Sequence, residues 1–188
     1  MGKRTTNVSI YISFLLRHKP DEANLQMDKH GWVDVQQLID GINQSEKYNI
    51  TRELLEEIVA EDNKGRYRFS EDGKRIKACQ GHSIEWVEPE LTYEQPPEFL
   101  YHGTTREAWK LINETGGLKK MKRHAVHMQA EEEKAWQSAK RWRSIPVLLK
   151  ISAGEMYRDG FVFGKSDNDV WCTEHVPLQY ISNQMTRK

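Results

Sequence analysis

Residues 66–78 have the sequence RYRFSEDGKRIKA, in which polar and apolar side chains alternate on both sides of Glu71-Asp72-Gly73. Alternation with a period of two is typical of β-strands, and a glycine between two such runs favours a tight turn. The stretch therefore predicts a β-hairpin.

Three helices are predicted before this hairpin. Asp34 and Thr51 stand where the second and third begin and are predicted to cap them, and Pro20 ends the first. Their apolar stripes are Ile10, Phe14 and Leu15; Leu38, Ile39 and Ile42; and Leu54, Leu55, Ile58 and Val59. Helices followed by a two-stranded wing are typical of a winged-helix module, which commonly binds nucleic acid. This predicts such a lobe over residues 1–88.

A second, α+β lobe is predicted after a proline-rich linker. Residues 89–97 (PELTYEQPP) hold three prolines and show no periodicity. Residues 98–188 then alternate short strands with few helices, which favours a compact sheet lobe. The predicted strands are in FLYHGT, AVHM, IPVLLKIS and DVWCTEHVPLQYI, and the helices in REAWKLINETGG and EEEKAWQSAKRW.

Composition restricts the class of protein. The 188 residues are 37% hydrophobic and 30% charged, and no apolar run reaches the roughly 18–20 residues that span a bilayer. The N-terminus lacks the pattern of a signal peptide. The two cysteines show no CxxC spacing, so we expect a reducing compartment, the cytoplasm. Because the net charge is zero, an RNA partner must be attracted by local basic patches. Balanced charge without heptads favours a monomer.

Basic residues concentrate at two places in the first lobe. Arg17 and His18 end the first helix, where complementing the helix dipole and a functional role are equally good explanations. The hairpin carries Lys64, Arg66, Arg68, Lys74, Arg75 and Lys77. A solvated face is the default for such a run, but strand alternation puts Arg66 and Arg68 on one side, where they could form a phosphate-binding fork.

Two glycine-containing motifs are candidates for ligand contact. In Gln80-Gly81-His82-Ser83, Gly81 permits a tight turn, and His82 could donate to a phosphate or fasten the two lobes. In His102-Gly103-Thr104, a glycine at a strand end would let a planar ligand lie against the backbone. No GxGxxG or GxxxxGK[ST] motif indicates a Rossmann or P-loop site.

The remaining polar residues favour phosphate binding over metal or nucleophile chemistry. His124 and His127 lack a third metal ligand at diagnostic spacing, so no metal is predicted. Arg141 and Arg143 flank Trp142 before the apolar strand. An inventory rich in arginine and histidine and poor in activated nucleophiles favours a site that stabilises phosphate while the substrate supplies the nucleophile.

In order along the chain, these motifs resemble the NAD-dependent RNA (tRNA) 2′-phosphotransferase family. The similar blocks run from residue 13 to about 181 and are SFLLRHKP, HGWVDVQQLI, KGRYRFSEDGKRIKACQGHS, PPEFLYHGTT, RHAVHM, NDVWCT and VPLQYI. The resemblance implies a winged-helix lobe that handles RNA, an ADP-ribosyltransferase-like lobe that binds NAD+, and a phosphate site that needs both.

The resemblance also implies roles for individual residues. The catalytic set is Arg17, His18, Arg66 and Arg141; the NAD+-binding set is His102, Gly103, Thr104, Arg123, His124, His127 and Asn168. Two departures from the family stand out. Its Arg-His-Gly-x-Pro-Val motif appears here as RWRSIPV, so Arg143 competes with Arg141 for the last catalytic position. Lys77 stands where the family often has arginine, so a contact there would lose the guanidinium fork.

The implied reaction consumes NAD+. The RNA 2′-phosphate attacks C1″ of the nicotinamide ribose, and O2″ then attacks phosphorus in the RNA-2′-phospho-ADP-ribose intermediate. The products are 2′-OH RNA, nicotinamide and ADP-ribose 1″,2″-cyclic phosphate, as in tRNA splicing or RNA repair. Two alternatives remain: ADP-ribose capping of nucleic-acid terminal phosphates without the second step, and a non-enzymatic winged-helix nucleic-acid-binding protein.

Overall fold

The N-terminal helix, α1 (Lys3–Arg17), ends just before a proline, as the sequence predicts. The structure is a computed structural model that describes residues 3–141 and 144–186. Pro20 begins a separate 3-10 helix, Pro20–Ala23, because proline fits the first turn of a helix but cannot continue one. The apolar face of α1 is buried through Val8, Ile12, Leu15 and Leu16.

Helices α2 (Val35–Gln44) and α3 (Arg52–Ala60) begin at the predicted capping residues. The Asp34 carboxylate accepts from the backbone N–H of Gln37 at 2.9 Å, and the Thr51 hydroxyl accepts from that of Leu54 at 3.3 Å. Each cap satisfies an N–H that the first turn of a helix leaves unbonded. Both predicted helix starts are therefore confirmed.

The predicted hairpin is also confirmed. Strands β1 (Val33–Asp34), β2 (Tyr67–Phe69) and β3 (Arg75–Ala78) form an antiparallel sheet in the order β1-β3-β2. Gly73 adopts φ +66° in the turn, and its N–H donates to the Ser70 carbonyl at 2.9 Å. Tyr67 and Ile76 point into a core that the three helices share.

The chain divides into two compact units, Met1–Glu90 and Leu91–Lys188. Among the described residues of the second, the strands form three antiparallel sheets, in the orders β4-β9-β10-β7, β6-β11 and β12-β8-β5. Its strands are β4 (Thr92–Tyr93), β5 (Leu100–Thr105), β6 (Gly117–Lys119), β7 (Val126–Met128), β8 (Pro146–Ile151), β9 (Gly164–Lys165), β10 (Trp171–Thr173), β11 (His175–Pro177) and β12 (Ile181–Thr186). Its helices are α4 (Arg106–Glu114), α5 (Glu132–Ala139) and α6 (Ala153–Arg158). The architecture is mixed α and β, consistent with the predicted α+β class.

The stretch 89–97, predicted to be a linker, contains a strand of the second unit. Thr92 pairs with Lys165 and Tyr93 with Gly164. The prolines that suggested a linker lie outside the two paired residues, so they withhold no N–H from this ladder. In the part of the chain that the structure describes, no helix is long and apolar enough to cross a bilayer.

Candidate active site

Arg17 and His18 lie at the C-terminal end of α1, with Arg17 half-buried and His18 exposed. The loop after β3 reaches both. The backbone N–H of Ser83 donates to the Arg17 carbonyl at 2.9 Å, which satisfies one of the carbonyls left open at a helix end. The Ser83 hydroxyl is hydrogen-bonded to Nδ1 of His18 at 2.9 Å. The pair is therefore held by a segment far away in sequence.

The same loop connects this pair to Arg66. At its start, the Cys79 N–H donates to the Arg66 carbonyl at 2.8 Å and extends the β2–β3 ladder by one bond. Gly81 then turns with φ +85°, and a Cβ there would lie 3.9 Å from the guanidinium carbon of Arg17. We call the segment Cys79–Ser83 the clasp loop. Its first residue contacts Arg66, its glycine lies beside Arg17, and its last residue contacts His18.

The positive charges of Arg17 and Arg66 both act on the buried phenol of Tyr67. Burial raises the pKa of its phenol, while the hydrogen bond to Ser9 and the positive charges of Arg17 and Arg66 act in the opposite direction. Both guanidinium groups therefore lie within electrostatic reach of one hydroxyl group. Three of the sequence-predicted catalytic residues, Arg17, His18 and Arg66, gather in the first unit.

Arg66 and Arg68 have different partners within the first unit. Arg66 lies just before β2, and its Nη1 donates to the carboxylate of Asp62 at 2.5 Å. The Arg68 guanidinium lies 5.2 Å from the centre of the Trp32 ring. Tyr67, between them, is buried, whereas Arg66 is half-buried and Arg68 exposed, which is the alternation expected of a strand. Phosphate binding by the two arginines stays a prediction.

Asp62 is a buried partner that sequence reasoning missed. Its side chain is 1% exposed and also accepts the backbone N–H of Arg66. We expect Arg66→Ala to lower the free energy of unfolding by about 1–2 kcal/mol, because it leaves a buried carboxylate without its counter-charge. Urea denaturation measures the change.

The Asp62→Asn background provides the control for this prediction. With the charge at residue 62 removed, Arg66→Ala should cost clearly less, and the exposed Arg68→Ala should cost at most about 0.5 kcal/mol in either background. An equal cost of Arg66→Ala in both backgrounds would show that the ion pair is not the cause.

Other basic residues of the hairpin also bind groups within the first unit. Lys77 is buried; its Nζ lies 2.5 Å from a carboxylate oxygen of Glu90 and 4.9 Å from the Trp32 ring centre. The hydrogen bond from Lys77 lowers the pKa of the Glu90 carboxyl. Arg75 also lies over Trp32, at 5.3 Å. The lysine at this departure from the family pattern is therefore part of an internal ion pair.

His82 is buried within the first unit, against Gly31. Gly31 has φ +84°, and a Cβ on it would come within 2.9 Å of Nε2 of His82. The contact anchors the middle of the clasp loop. This is a role that neither of the two predicted alternatives for His82 included.

In the second unit, the His102-Gly103-Thr104 motif lies along β5, and its residues face both sides of the sheet. His102 pairs with Leu149 and Gly103 with Leu148, so they point to opposite faces. A Cβ on Gly103 would meet the Ala135 carbonyl of α5 at 2.1 Å. The expectation that Gly103 gives room to a planar ligand is corrected: at Gly103, helix α5 occupies that space.

His102 links β5 to β7. Its Nδ1 lies 2.8 Å from the carbonyl of His127, so Nδ1 carries the proton and Nε2 is the acceptor in the neutral ring. Burial lowers the pKa of His102, the hydrogen bond to His127 raises it, and the charge of Arg123 lowers it further. His102, His127 and Arg123 are thus brought together.

The lowered pKa of His102 predicts a loss of stability in acid. Because the folded state holds the proton less tightly than the unfolded chain, the neutral ring is favoured above about pH 6.5, and stability falls as the pH drops below that value. Unfolding free energies at about pH 7.5 and about pH 5 should therefore differ more for the wild type than for His102→Asn, whose amide still donates to the His127 carbonyl. Equal differences for both chains would contradict this assignment.

Of the other predicted binding residues, Arg123, His124 and Asn168 lie in turns or bends, and Thr104 lies in β5. Arg123 and His124 precede β7, and the N–H of Arg123 donates to the Lys120 carbonyl at 3.0 Å. Asn168 lies in the turn between β9 and β10, where its side-chain oxygen accepts from Ser166 at 2.8 Å. Thr104 is buried on the His102 face of β5.

Arg141 follows α5 and is exposed; its Nη2 donates to the Ser138 hydroxyl at 2.8 Å. Arg143, the competing candidate, lies outside the described residues. The choice between the two arginines therefore stays a prediction.

Neither thiol has the environment of a nucleophile. Cys79 and Cys172 are both buried, and burial raises the pKa of Cys172 to about 12. A thiol with such a pKa is protonated at neutral pH and is a poor nucleophile. Among residues 3–141 and 144–186, no group of three or more His, Cys, Asp or Glu side chains is arranged to hold a metal ion.

An α+β chain that gathers two arginines and a histidine has the donor set that proteins use to bind phosphate groups. Over residues 3–175, the chain matches the family described as RNA 2′-phosphotransferase, Tpt1 / KptA family. The chain belongs to this family.

Individual relatives match over almost their whole length. A probable RNA 2′-phosphotransferase of Flavobacterium johnsoniae is 41% identical over 93% of this chain and 94% of its own. Proteins of the same description from Fusobacterium nucleatum and Rhizobium leguminosarum bv. trifolii are 43% and 42% identical, covering 91% and 96% of this chain and 94% and 95% of their own.

Proposed function

We propose that this chain removes an internal 2′-phosphate from RNA by transferring it to NAD+. The observation that carries the proposal is the gathering of Arg17, His18 and Arg66 around the clasp loop in a member of the RNA 2′-phosphotransferase family. Arginine binds phosphate through paired N–H groups, and histidine is the side chain whose ordinary pKa is nearest neutrality.

Each unit has its own part in this proposal. The first is a winged-helix lobe that binds RNA, with the β2–β3 hairpin as its wing. The second is an ADP-ribosyltransferase-like lobe that binds NAD+ through His102, Arg123 and His127, with Thr104, His124 and Asn168 near the same ligand. A neutral His102 supports this assignment, because its Nε2 can accept a hydrogen bond from a ribose hydroxyl without adding positive charge.

In the first step, an oxygen of the RNA 2′-phosphate forms a bond to C1″ of the nicotinamide ribose. The bond to the nicotinamide nitrogen breaks, and nicotinamide leaves with the electron pair. A phosphate anion needs orientation more than activation for this attack. Arg17 and Arg66 provide the orientation, with Arg141 as the proposed third arginine.

In the second step, O2″ attacks phosphorus and the RNA 2′-oxygen leaves. The products are RNA with a 2′-hydroxyl and ADP-ribose 1″,2″-cyclic phosphate. Negative charge grows on the phosphoryl oxygens, where the arginines stabilise it. His18 moves one proton, taking it from O2″ or giving it to the leaving RNA oxygen. A metal ion has no part in the proposed reaction.

The test uses an RNA oligonucleotide with a ³²P-labelled internal 2′-phosphate, incubated with the full chain and NAD+. We expect the label to move to a small cyclic phosphate and the RNA to gain a 2′-hydroxyl. Label that stays on an RNA enlarged by ADP-ribose would instead indicate capping without the second step. Unchanged RNA with no release of nicotinamide would favour a nucleic-acid-binding protein and reject the proposal.

The fourth catalytic position has its own test. If Arg141 stabilises the second step, Arg141→Ala should accumulate the labelled RNA-2′-phospho-ADP-ribose intermediate, while Arg143→Ala should turn over normally. The opposite pattern would transfer the role to Arg143.

A further inference from the structure

We infer that Ser83 is a positioning residue that fixes the orientation of the His18 ring. The structural part of this inference stands by itself, and its catalytic consequence rests on the proposed function. Sequence reasoning included Ser83 in the Gln80–Ser83 motif but gave it no role.

Ser83 holds both the backbone and the side chain of the Arg17-His18 pair. Its N–H donates to the Arg17 carbonyl at 2.9 Å, and its hydroxyl lies 2.9 Å from Nδ1 of His18. The His18 ring lies beside the ring of Phe14, with the ring centres 6.3 Å apart, and its Nδ1 is the nitrogen bonded to Ser83. A hydrogen bond to one ring nitrogen therefore determines where the other nitrogen points.

The hydroxyl group is suited to a histidine that changes protonation state. When the ring is neutral, the hydroxyl can donate to Nδ1; when the ring is protonated, the same oxygen can accept from Nδ1–H. A carboxylate in this place would only accept and would favour the charged ring. With Nδ1 engaged in both states, Nε2 is the nitrogen directed to the substrate, because the bond at one nitrogen fixes the role of the other.

Ser83 itself is held from several sides. Two residues before it, Gly81 turns with φ +85° beside Arg17, and His82 is buried against Gly31. At the other end of the clasp loop, Cys79 is bonded to the Arg66 carbonyl. Since the backbone on the N-terminal side of Ser83 is fixed, its hydroxyl has a defined position from which to orient the ring.

The test compares Ser83→Ala with Ser83→Thr, which keeps a hydroxyl, and with Ser45→Ala, which removes a hydroxyl bonded to the Ile42 carbonyl elsewhere in the first unit. In ¹⁵N-histidine-labelled full-length protein, the ring resonances of His18 are identified by their loss in His18→Gln. At a pH where the ring is neutral, we expect the ring ¹⁵N shifts of His18 to agree in the wild type, Ser83→Thr and Ser45→Ala, and to differ in Ser83→Ala, because Nδ1 has lost the hydroxyl group that it is bonded to. Unchanged ring shifts in Ser83→Ala would overturn the inference.

Kinetics adds a readout that would not change if Ser83 had only a structural role. We expect Ser83→Ala to lower kcat about tenfold, a fraction of a general acid–base contribution, while KM changes less than about twofold and Ser83→Thr recovers most of the rate. A rise in KM with kcat unchanged would also overturn the inference. If the wild type transfers no phosphate but its His18 ring shifts depend on Ser83, the proposed function fails and the positioning role stands.

Discussion

Arg17→Ala is expected to reduce the release of 2′-dephosphorylated RNA by at least about 10²–10³-fold, the loss typical of removing one group that stabilises transition-state charge. The Arg17 guanidinium lies beside Gly81 and acts on the same phenol as Arg66. Alanine at position 17 removes this positive charge. The measurement is the rate of label transfer from RNA to the small cyclic phosphate at saturating NAD+.

The fold should survive this substitution. Ser83 bonds the Arg17 carbonyl, which alanine retains, and alanine favours the helical conformation that α1 has at this position. We expect the unfolding free energy to change by no more than about 1 kcal/mol.

Arg52→Ala is the matched control, because Arg52 is also a half-buried arginine of the first unit; its guanidinium donates to the Gly73 carbonyl at 2.9 Å and to Glu56 at 2.6 Å. It should keep nearly full activity. Near-normal activity of Arg17→Ala, or an equal loss in Arg52→Ala, would remove Arg17 from the site.

Sequence alone predicts the elements whose signals are local. Asp34 and Thr51 cap the helices that they were predicted to cap, and Gly73 turns the hairpin with a positive φ. In each case the sequence signal and the hydrogen bond or backbone angle that it predicts lie within a few residues of each other. Short-range patterns of this kind are readable without the tertiary structure.

The contacts around Arg17 and His18 are not readable in this way. Two explanations of the pair were equally good from sequence, since a basic helix end complements the dipole whatever its function. What distinguishes this helix end is the hydroxyl of Ser83, 65 residues away along the chain. Asp62 was missed because its burial depends on how the turn before β2 packs.

The predicted linker contains the boundary between the two units, after Glu90, but tertiary pairing overrides the local signal in part of it. Three prolines between residues 89 and 97 indicated irregular chain, yet Thr92 and Tyr93 join the sheet of the second unit. Proline excludes only its own N–H from a ladder, so residues between prolines stay free to pair.

Gly103 gives a last example, in which the position was noticed but its physical reason was different. The motif suggested a glycine at a strand end, open to a ligand. Gly103 instead lies within β5, pairs with Leu148 and faces α5. The backbone of α5 approaches so closely that a Cβ would also lie 2.9 Å from the Ala139 nitrogen. Only glycine permits this packing of helix on strand.

Gly103→Ala should therefore destabilise the protein by about 3 kcal/mol or more, because the added methyl meets backbone atoms that cannot move without shifting the helix. Urea denaturation measures the loss. Gly160→Ala is the control: Gly160 has φ +93° but nothing within 4 Å of its added Cβ, so backbone strain alone should cost about 1–2 kcal/mol. If Gly103→Ala is no less stable than Gly160→Ala, the close approach of α5 to β5 is wrong. A larger loss for Gly103→Ala would mean that the glycine of this motif serves helix packing whatever ligand its neighbours bind.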